Sequence, residues 1–230
     1  MFFFDPMYLL FLAPGLLLAL WAQAKVKSAY HQAGQYRARS GLSGAECAEQ
    51  ILDSHGIRDV IVEQTPSMLG DHYDPRNRVL RLSPDVYEGR TLASLGIAAH
   101  EVGHAIQHAT HYTPLALRSG LVPVAAYGPQ LAYLLIIAGI VVSSFRPLAF
   151  VGLAIFGVSV LCTLVTLPVE FNASRRARAI LTTQGMVTHE EDAIVGKVLN
   201  AAALTYVAAA ITALLTFLYY ASLVMGRRNN

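Results

Sequence analysis

The residues best equipped for chemistry lie together at positions 100–104 of the 230-residue chain, where it reads His-Glu-Val-Gly-His within GIAAHEVGHAIQH. Two histidines four apart sit one turn apart on the same helix face, so both imidazoles can reach a single zinc ion at about 2.0–2.1 Å. Glu101, beside the first of them, is placed to take a proton from a water that the metal activates. With eight histidines and eight glutamates in the chain, chance produces this spacing about once in a hundred such sequences. A chance origin would also leave three ionisable side chains without partners in an apolar helix, which is costly. His100 and His104 are therefore read as ligands of one Zn2+ per chain, with Glu101 as general base.

A catalytic zinc needs a third protein ligand and an open position. Between Glu101 and Glu190 there is one carboxylate, Glu170, in the segment LPVEFNASRRA. Its other use would be a headgroup ion pair with Arg175 or Arg118, a weak surface contact. Two apolar stretches separate it from His104, so both residues return to the same side of a membrane and can meet. His108 shares the helix face but, at about 1.5 Å per residue, lies roughly 12 Å along the axis from His100. His111 is one position off the third histidine of HExxHxxGxxH, and Gln107 replaces the glycine of that pattern. Both histidines read as polar contacts at the rim. His189, in Thr188-His189-Glu190-Glu191, reads first as a solvated helix start and second as a candidate for oxyanion stabilisation.

The elements that must carry these residues follow from where charge is missing. The chain is 54% hydrophobic and 14% charged, with mean hydropathy +0.45, against about 25% charged in soluble domains. That composition excludes a disordered chain, a nucleic-acid binder with a basic surface and an ordinary soluble enzyme. Two cysteines, Cys47 and Cys162, make neither a disulfide framework nor a cysteine zinc site. Residues 1–24 hold one charge, Asp5; residues 119–169 hold one, Arg146; residues 198–226 hold none. A bilayer core of about 30 Å needs about 20 apolar residues in a helix, which gives four candidate spans near 2–22, 121–142, 148–169 and 199–224. The first lacks a basic leader and a small-x-small cleavage site, so it reads as a retained helix rather than a signal peptide.

The chain thus divides into a first transmembrane helix (1–24), a polar subdomain with the HExxH helix (25–118), a transmembrane hairpin (119–169), a segment carrying Glu170 (170–198), and a fourth transmembrane helix with its tail (199–230). Lys25, Lys27, Arg37, Arg39, Arg118, Arg175, Arg176, Arg178 and Lys197 flank the spans on one side, against Arg146, Arg227 and Arg228 on the other. The positive-inside rule makes the basic, chemistry-bearing side cytoplasmic and puts both termini outside. In the polar subdomain ten basic residues balance ten acidic ones. Residues 24–38 read as a helix along the lipid surface. Ser43 and Glu46 form a capping box for a helix that stops at Gly56. Residues 60–63 and 79–82 read as strands of a small hairpin or sheet, Ser83-Pro84 as a turn, and Thr91 as the cap of a long helix to about Ala109. An extended substrate would pair with the edge of one of those strands.

Three segments in this order, DHYDPRNRVLRLSPDVY, LGIAAHEVGHAIQH and LPVEFNASRRA, resemble the YugP-like family of bacterial membrane-bound neutral zinc metallopeptidases, over nearly the whole chain. The resemblance implies a gluzincin-type endopeptidase in the bacterial inner membrane, with His100, His104 and Glu170 as ligands and Glu101 as base. It is similar at a distance to membrane proteases whose second motif is Glu-Phe-x-Ala-Asp. Here Ser174 stands where that pattern has Asp, which leaves Ser174 and Asn172 as the candidate substitutes for the carboxylate that orients a ligand histidine. The expected fold is a mainly α integral membrane protein: four transmembrane helices and a small α+β zincin-like cytoplasmic subdomain. Its expected partners are the lipid bilayer and a peptide or membrane-protein substrate, with no nucleic acid. The rival reading is a non-catalytic zinc-binding membrane scaffold or regulator, for which Glu101 would have no use.

Overall fold

The computed structural model describes residues 6–66 and 70–226, and the chain is mainly helical. Helix α1 runs Pro6–Gly34, α2 Gly44–Ser54, and a three-stranded sheet follows from β1 (Ile61–Gln64), β2 (His72–Asp74) and β3 (Val79–Leu82). A one-turn α3 (Pro84–Tyr87) leads into α4 (Leu92–Ala109), and the long helices α5 (Thr113–Val141), α6 (Arg146–Thr183) and α7 (His189–Gly226) complete the chain. Four of these, α1, α5, α6 and α7, are long and apolar enough to cross a membrane. The start of the first expected span, with Asp5, and the tail after the last one, with Arg227 and Arg228, lie outside the described residues.

Each apolar span is part of a longer helix. Residues 25–34, expected along the lipid surface, continue α1 without a break. Likewise α6 runs past Glu170 to Thr183, and α7 starts ten residues before the apolar stretch at 199. Hydropathy marks where lipid begins, while backbone hydrogen bonding continues as long as the sequence tolerates a helix. Pro14, Pro123, Pro129 and Pro168 all lie inside helices, as long apolar helices allow.

The described residues pack as two units. The first comprises residues up to 22, 116–168 and from 205 onward. Its core is small: Ile136, Ile140, Ala149, Tyr219, Tyr220 and Val224, with Tyr8, Phe11 and Phe156 against it. Tyr8 meets Tyr219 edge-on at 5.1 Å and Phe156 meets Tyr220 edge-on at 5.7 Å, geometries worth about 0.5–1.5 kcal/mol each. A Cβ on Gly152 would lie 2.7 Å from the Ala132 carbonyl oxygen, so glycine is what lets α5 and α6 approach so closely. Leu10 and Leu17 are 65% and 66% exposed, exposures that suit hydrocarbon rather than water.

The second unit, residues 23–115 and 169–204, buries its apolar side chains inward. Helix α4 lies at its centre, with Leu92, Leu95, Ala98, Ala99, Val102 and Ile106 packed among Ile51, Leu80, Leu82, Val86, Leu181 and Val195. Thr91 caps α4 by accepting from Ser94 N–H, and Ser43 and Glu46 form the expected capping box on α2. The segment after α1 is pinned to the start of α4 by Ala38 N–H to Arg90 O and Leu92 N–H to Tyr36 O.

Of the hairpin or sheet expected from residues 60–63 and 79–82, the structure has a sheet. Its order is β1–β3–β2, with β1 parallel to β3 and β2 antiparallel to it. The antiparallel partner of Val79–Leu82 is thus a strand at His72–Asp74 that sequence reading did not find. Because β3 is central, it offers no edge to a substrate, and the edges are β1 and β2. The Ser83-Pro84 turn is the N-terminus of α3, with Pro at its first position, where the missing N–H is no loss.

Candidate metal centre

Helix α4 carries His100, Glu101 and His104 on a segment that is buried along nearly its whole length. Helix α6 crosses it closely because Gly103 has no side chain: a Cβ there would stand 2.8 Å from the Ala173 carbonyl oxygen. That contact sets Glu170 opposite the two histidines. His100 Nε2 lies 3.3 Å and His104 Nε2 3.6 Å from Glu170 Oε2, and the three donor atoms all lie within 4.8 Å of one another. Glu170 is 2% exposed, so its carboxylate is held in place rather than solvated.

The other ring nitrogens are occupied. Ser174 Oγ lies 3.1 Å from His100 Nδ1, and Gln107 Oε1 lies 3.0 Å from His104 Nδ1. Gln107 in turn donates to Val169 O at 2.8 Å and to Asn172 Oδ1 at 3.0 Å. Asn172 Oδ1 also accepts from Arg176 Nε at 2.8 Å. Both outer candidates from the sequence therefore join the cluster, Ser174 directly on His100 and Asn172 through Gln107. Gln107 itself was missed. Its sole signal was a glutamine at the glycine position of the longer histidine motif.

Glu101 is turned by the sheet. Its Oε2 accepts the backbone N–H of Tyr73 in β2 at 3.0 Å, which fixes the orientation of the carboxylate. The Tyr73 hydroxyl reaches His108 Nδ1 at 2.9 Å, so His108 is engaged away from the donor cluster. Burial, then the Asp74 charge, push the Tyr73 pKa up, keeping that phenol protonated near neutral pH. His111 occupies the turn after α4 with φ 52°. His189 opens α7 on an exposed turn. The same first turn pairs Asp192 with Arg178, about 12 Å along α6 from Glu170 at helical rise. The structure does not bring His189 to the cluster.

Electrostatics favour a cation among these groups. Burial lowers the His104 pKa, but the Glu170 hydrogen bond and the Glu101 and Glu170 charges outweigh it, so the pKa stands above its ordinary value. The same field favours a divalent ion in place of that proton. Two ligand atoms of a tetrahedral zinc at about 2.0–2.1 Å lie about 3.4 Å apart, close to both carboxylate–imidazole distances. Two imidazoles and one carboxylate, with their outer atoms already hydrogen-bonded, are a donor set of the three-ligand catalytic kind. Among the described residues this is the one such cluster.

Comparison with known proteins bears on the whole chain. A family model described as "Putative neutral zinc metallopeptidase" matches residues 8–225. The chain is also similar to "Putative membrane protease YugP" of Bacillus subtilis (strain 168), 44% identical over 212 residues, which is 92% of this chain and 94% of that protein. No solved structure matches.

Proposed function

We propose that this chain, which belongs to the "Putative neutral zinc metallopeptidase" family, is a multi-pass membrane zinc endopeptidase of the gluzincin type, with a zincin-like subdomain and one zinc per chain. The observation that carries this reading is the convergence of His100 Nε2, His104 Nε2 and a Glu170 carboxylate oxygen within 4.8 Å, from two helices. Zinc held there would supply a Lewis acid that polarises a carbonyl and brings the pKa of water to about 7.

The chain's own residues do the rest. His100, His104 and Glu170 would hold the ion. Glu101 takes a proton from the attacking water and passes it to the leaving amine, a role worth about 10²–10⁴ in rate. The Tyr73 N–H hydrogen bond keeps its carboxylate aimed while it does so. Ser174 and Gln107 keep the rings of His100 and His104 from turning. An extended peptide pairing with the β2 edge would run alongside Glu101.

The substrates are membrane proteins or membrane-bound peptides, since Glu170 stands on α6, a helix that is an apolar span over its first half. The distribution of Lys and Arg supports a cytoplasmic site with both termini outside.

The test is purified protein in detergent, assayed on an unfolded casein-like substrate with and without a chelator. The expected result is one zinc per chain, anomalous scattering between His100, His104 and Glu170, and cleavage lost on chelation and restored by zinc. Undiminished cleavage after the metal is stripped would overturn the reading in favour of another mechanism, and zinc without any cleavage would favour the scaffold.

A further inference from the structure

Gln107 is a side chain with two donors and two acceptor sites, 0% exposed at the centre of the second unit. A buried amide must be met at both ends or it destabilises the fold. Either end of a glutamine can point either way, and either nitrogen of a neutral histidine can carry the proton. Here the neighbours decide both questions.

Two groups around Gln107 have no choice of role. The Val169 carbonyl can only accept, and it faces Gln107 Nε2 at 2.8 Å. The Arg176 guanidinium can only donate, and it faces Asn172 Oδ1 at 2.8 Å. Asn172 therefore presents oxygen, which Gln107 meets with its amide NH2 at 3.0 Å. With its nitrogen committed twice toward α6, Gln107 turns its oxygen to His104 Nδ1 at 3.0 Å. An amide oxygen only accepts, so Nδ1 carries the proton and the lone pair of the neutral ring sits on Nε2. That is the atom facing Glu170 in the donor cluster.

His100 differs. Its Nδ1 faces the Ser174 hydroxyl, which can donate or accept, so nothing imposes a ring form from that side. The two histidines of the motif are held by unlike devices, one fixed and one adaptable.

We propose that Gln107 is a positioning residue for the metal site: anchored by Val169 O and the Arg176–Asn172 pair, it holds His104 with Nδ1 protonated and so presents Nε2 as the donor atom. The proposal rests on the zinc reading above.

The experiment compares the parent chain with Gln107→Leu and Gln107→Glu, each purified whole in detergent. Zinc affinity is read by competition with a chelator. The ring N–H protons are read in the cobalt-substituted proteins, where nearby protons are strongly shifted and their exchange with water is visible. Leucine removes the acceptor, so zinc affinity falls about 10–100-fold and the His104 N–H signal is lost to exchange. Glutamate keeps an acceptor for Nδ1–H but sets an oxygen against Val169 O. It therefore restores the affinity to near the parent's and keeps the N–H signal, while lowering the thermal midpoint.

A Gln107→Leu protein that binds zinc within twofold of the parent, with both ring protons protected, overturns the proposal and leaves the zinc reading intact. Equal loss in both variants also overturns it, because the role is then packing. If the leucine variant does not fold, the glutamate variant decides alone: zinc retained supports the proposal and zinc lost overturns it. A parent chain that binds no zinc defeats the metal reading itself.

Discussion

Polar side chains in the two units solve the same problem in opposite ways. Among the spans, hydroxyls turn back to their own helix: Thr163 to Val160 O at 2.7 Å, Thr166 to Cys162 O at 2.8 Å, Thr212 to Ala208 O at 2.7 Å and Thr216 to Thr212 O at 2.8 Å. Ser159 adds a 3.5 Å approach to Val124 O on α5. In the second unit the buried polar groups around the donor cluster reach across elements: Glu101 to β2, Ser174 from α6 to α4, Gln107 from α4 to α6. Where no water is present, a lone hydroxyl is satisfied locally because every helix supplies carbonyls at i−3 and i−4. A polar group satisfied only by a distant element constrains the whole packing, and the fold bears that constraint where the chemistry is. Helix α6 belongs to both regimes, changing over next to Pro168.

The largest effects that could break this contrast are on the cluster itself. Glu170→Ala should weaken zinc binding more than the loss of an outer partner, beyond about 100-fold, since it removes a ligand and leaves two. Glu101→Gln should keep zinc and lose about 10²–10⁴ in turnover. Zinc stoichiometry and peptide cleavage on the same preparations separate the two. A Glu101→Gln protein that cleaves at the parent rate would remove the base from the mechanism.

A pair of glycines sharpens the comparison at similar cost to stability. Gly103→Ala and Gly152→Ala each force a Cβ against a backbone oxygen, at 2.8 Å and 2.7 Å, a clash of about 1–3 kcal/mol. Thermal midpoints in detergent should fall in both. Only Gly103→Ala should weaken zinc binding, because it pushes α6, and Glu170 with it, away from α4. Equal zinc affinity in the two proteins would mean that the crossing of α4 and α6 does not set the donor distances.

Smaller still is the hydroxyl pair. Ser174→Ala should weaken zinc about tenfold by freeing the His100 ring. Thr166→Ala, which removes a bond to its own helix, should leave zinc affinity unchanged and move stability by under about 1 kcal/mol.

The smallest effect at neutral pH concerns Cys47, whose thiol burial pushes up to about 12. The fold holds the neutral form, so this contribution is complete below the unfolded thiol pKa of about 8.5 and is lost as pH rises toward 12. Thiol reagents should leave Cys47 unmodified at neutral pH in the folded protein, and stability should fall on the alkaline side. Rapid labelling of native protein at pH 7 would show that this core opens readily.

Much of this architecture was legible because it rests on missing charge. Four stretches with almost no Lys, Arg, Asp or Glu mark four apolar helices, and the capping residues Ser43 and Thr91 mark the starts of α2 and α4. The helix ends at Gly34, Thr113, Thr183 and His189 were not legible, since residues flanking an apolar run continue a helix without any hydropathic sign. Strand β2 was hidden for a different reason: His72, Tyr73 and Asp74 are too few to show a period, and their extended form comes from pairing with β3. At the site, His100, Glu101 and His104 were visible by spacing and Glu170 by the scarcity of other carboxylates. Gln107 was not, because a glutamine on a helix becomes informative only when all its neighbours are known.

The long excursion between α4 and the site-bearing half of α6 has a consequence in time. Sixty-five residues separate His104 from Glu170, and a ribosome working at about 5–20 residues per second takes about 3–13 s to make them. During that interval the nascent chain holds two histidines and a base but no carboxylate ligand. The donor set closes only after α5 and α6 as far as Glu170 have been made. On the function proposed above, maturation is thus tied to the placing of α5 and α6: a copy in which the two helices do not turn back does not bring Glu170 to His100 and His104.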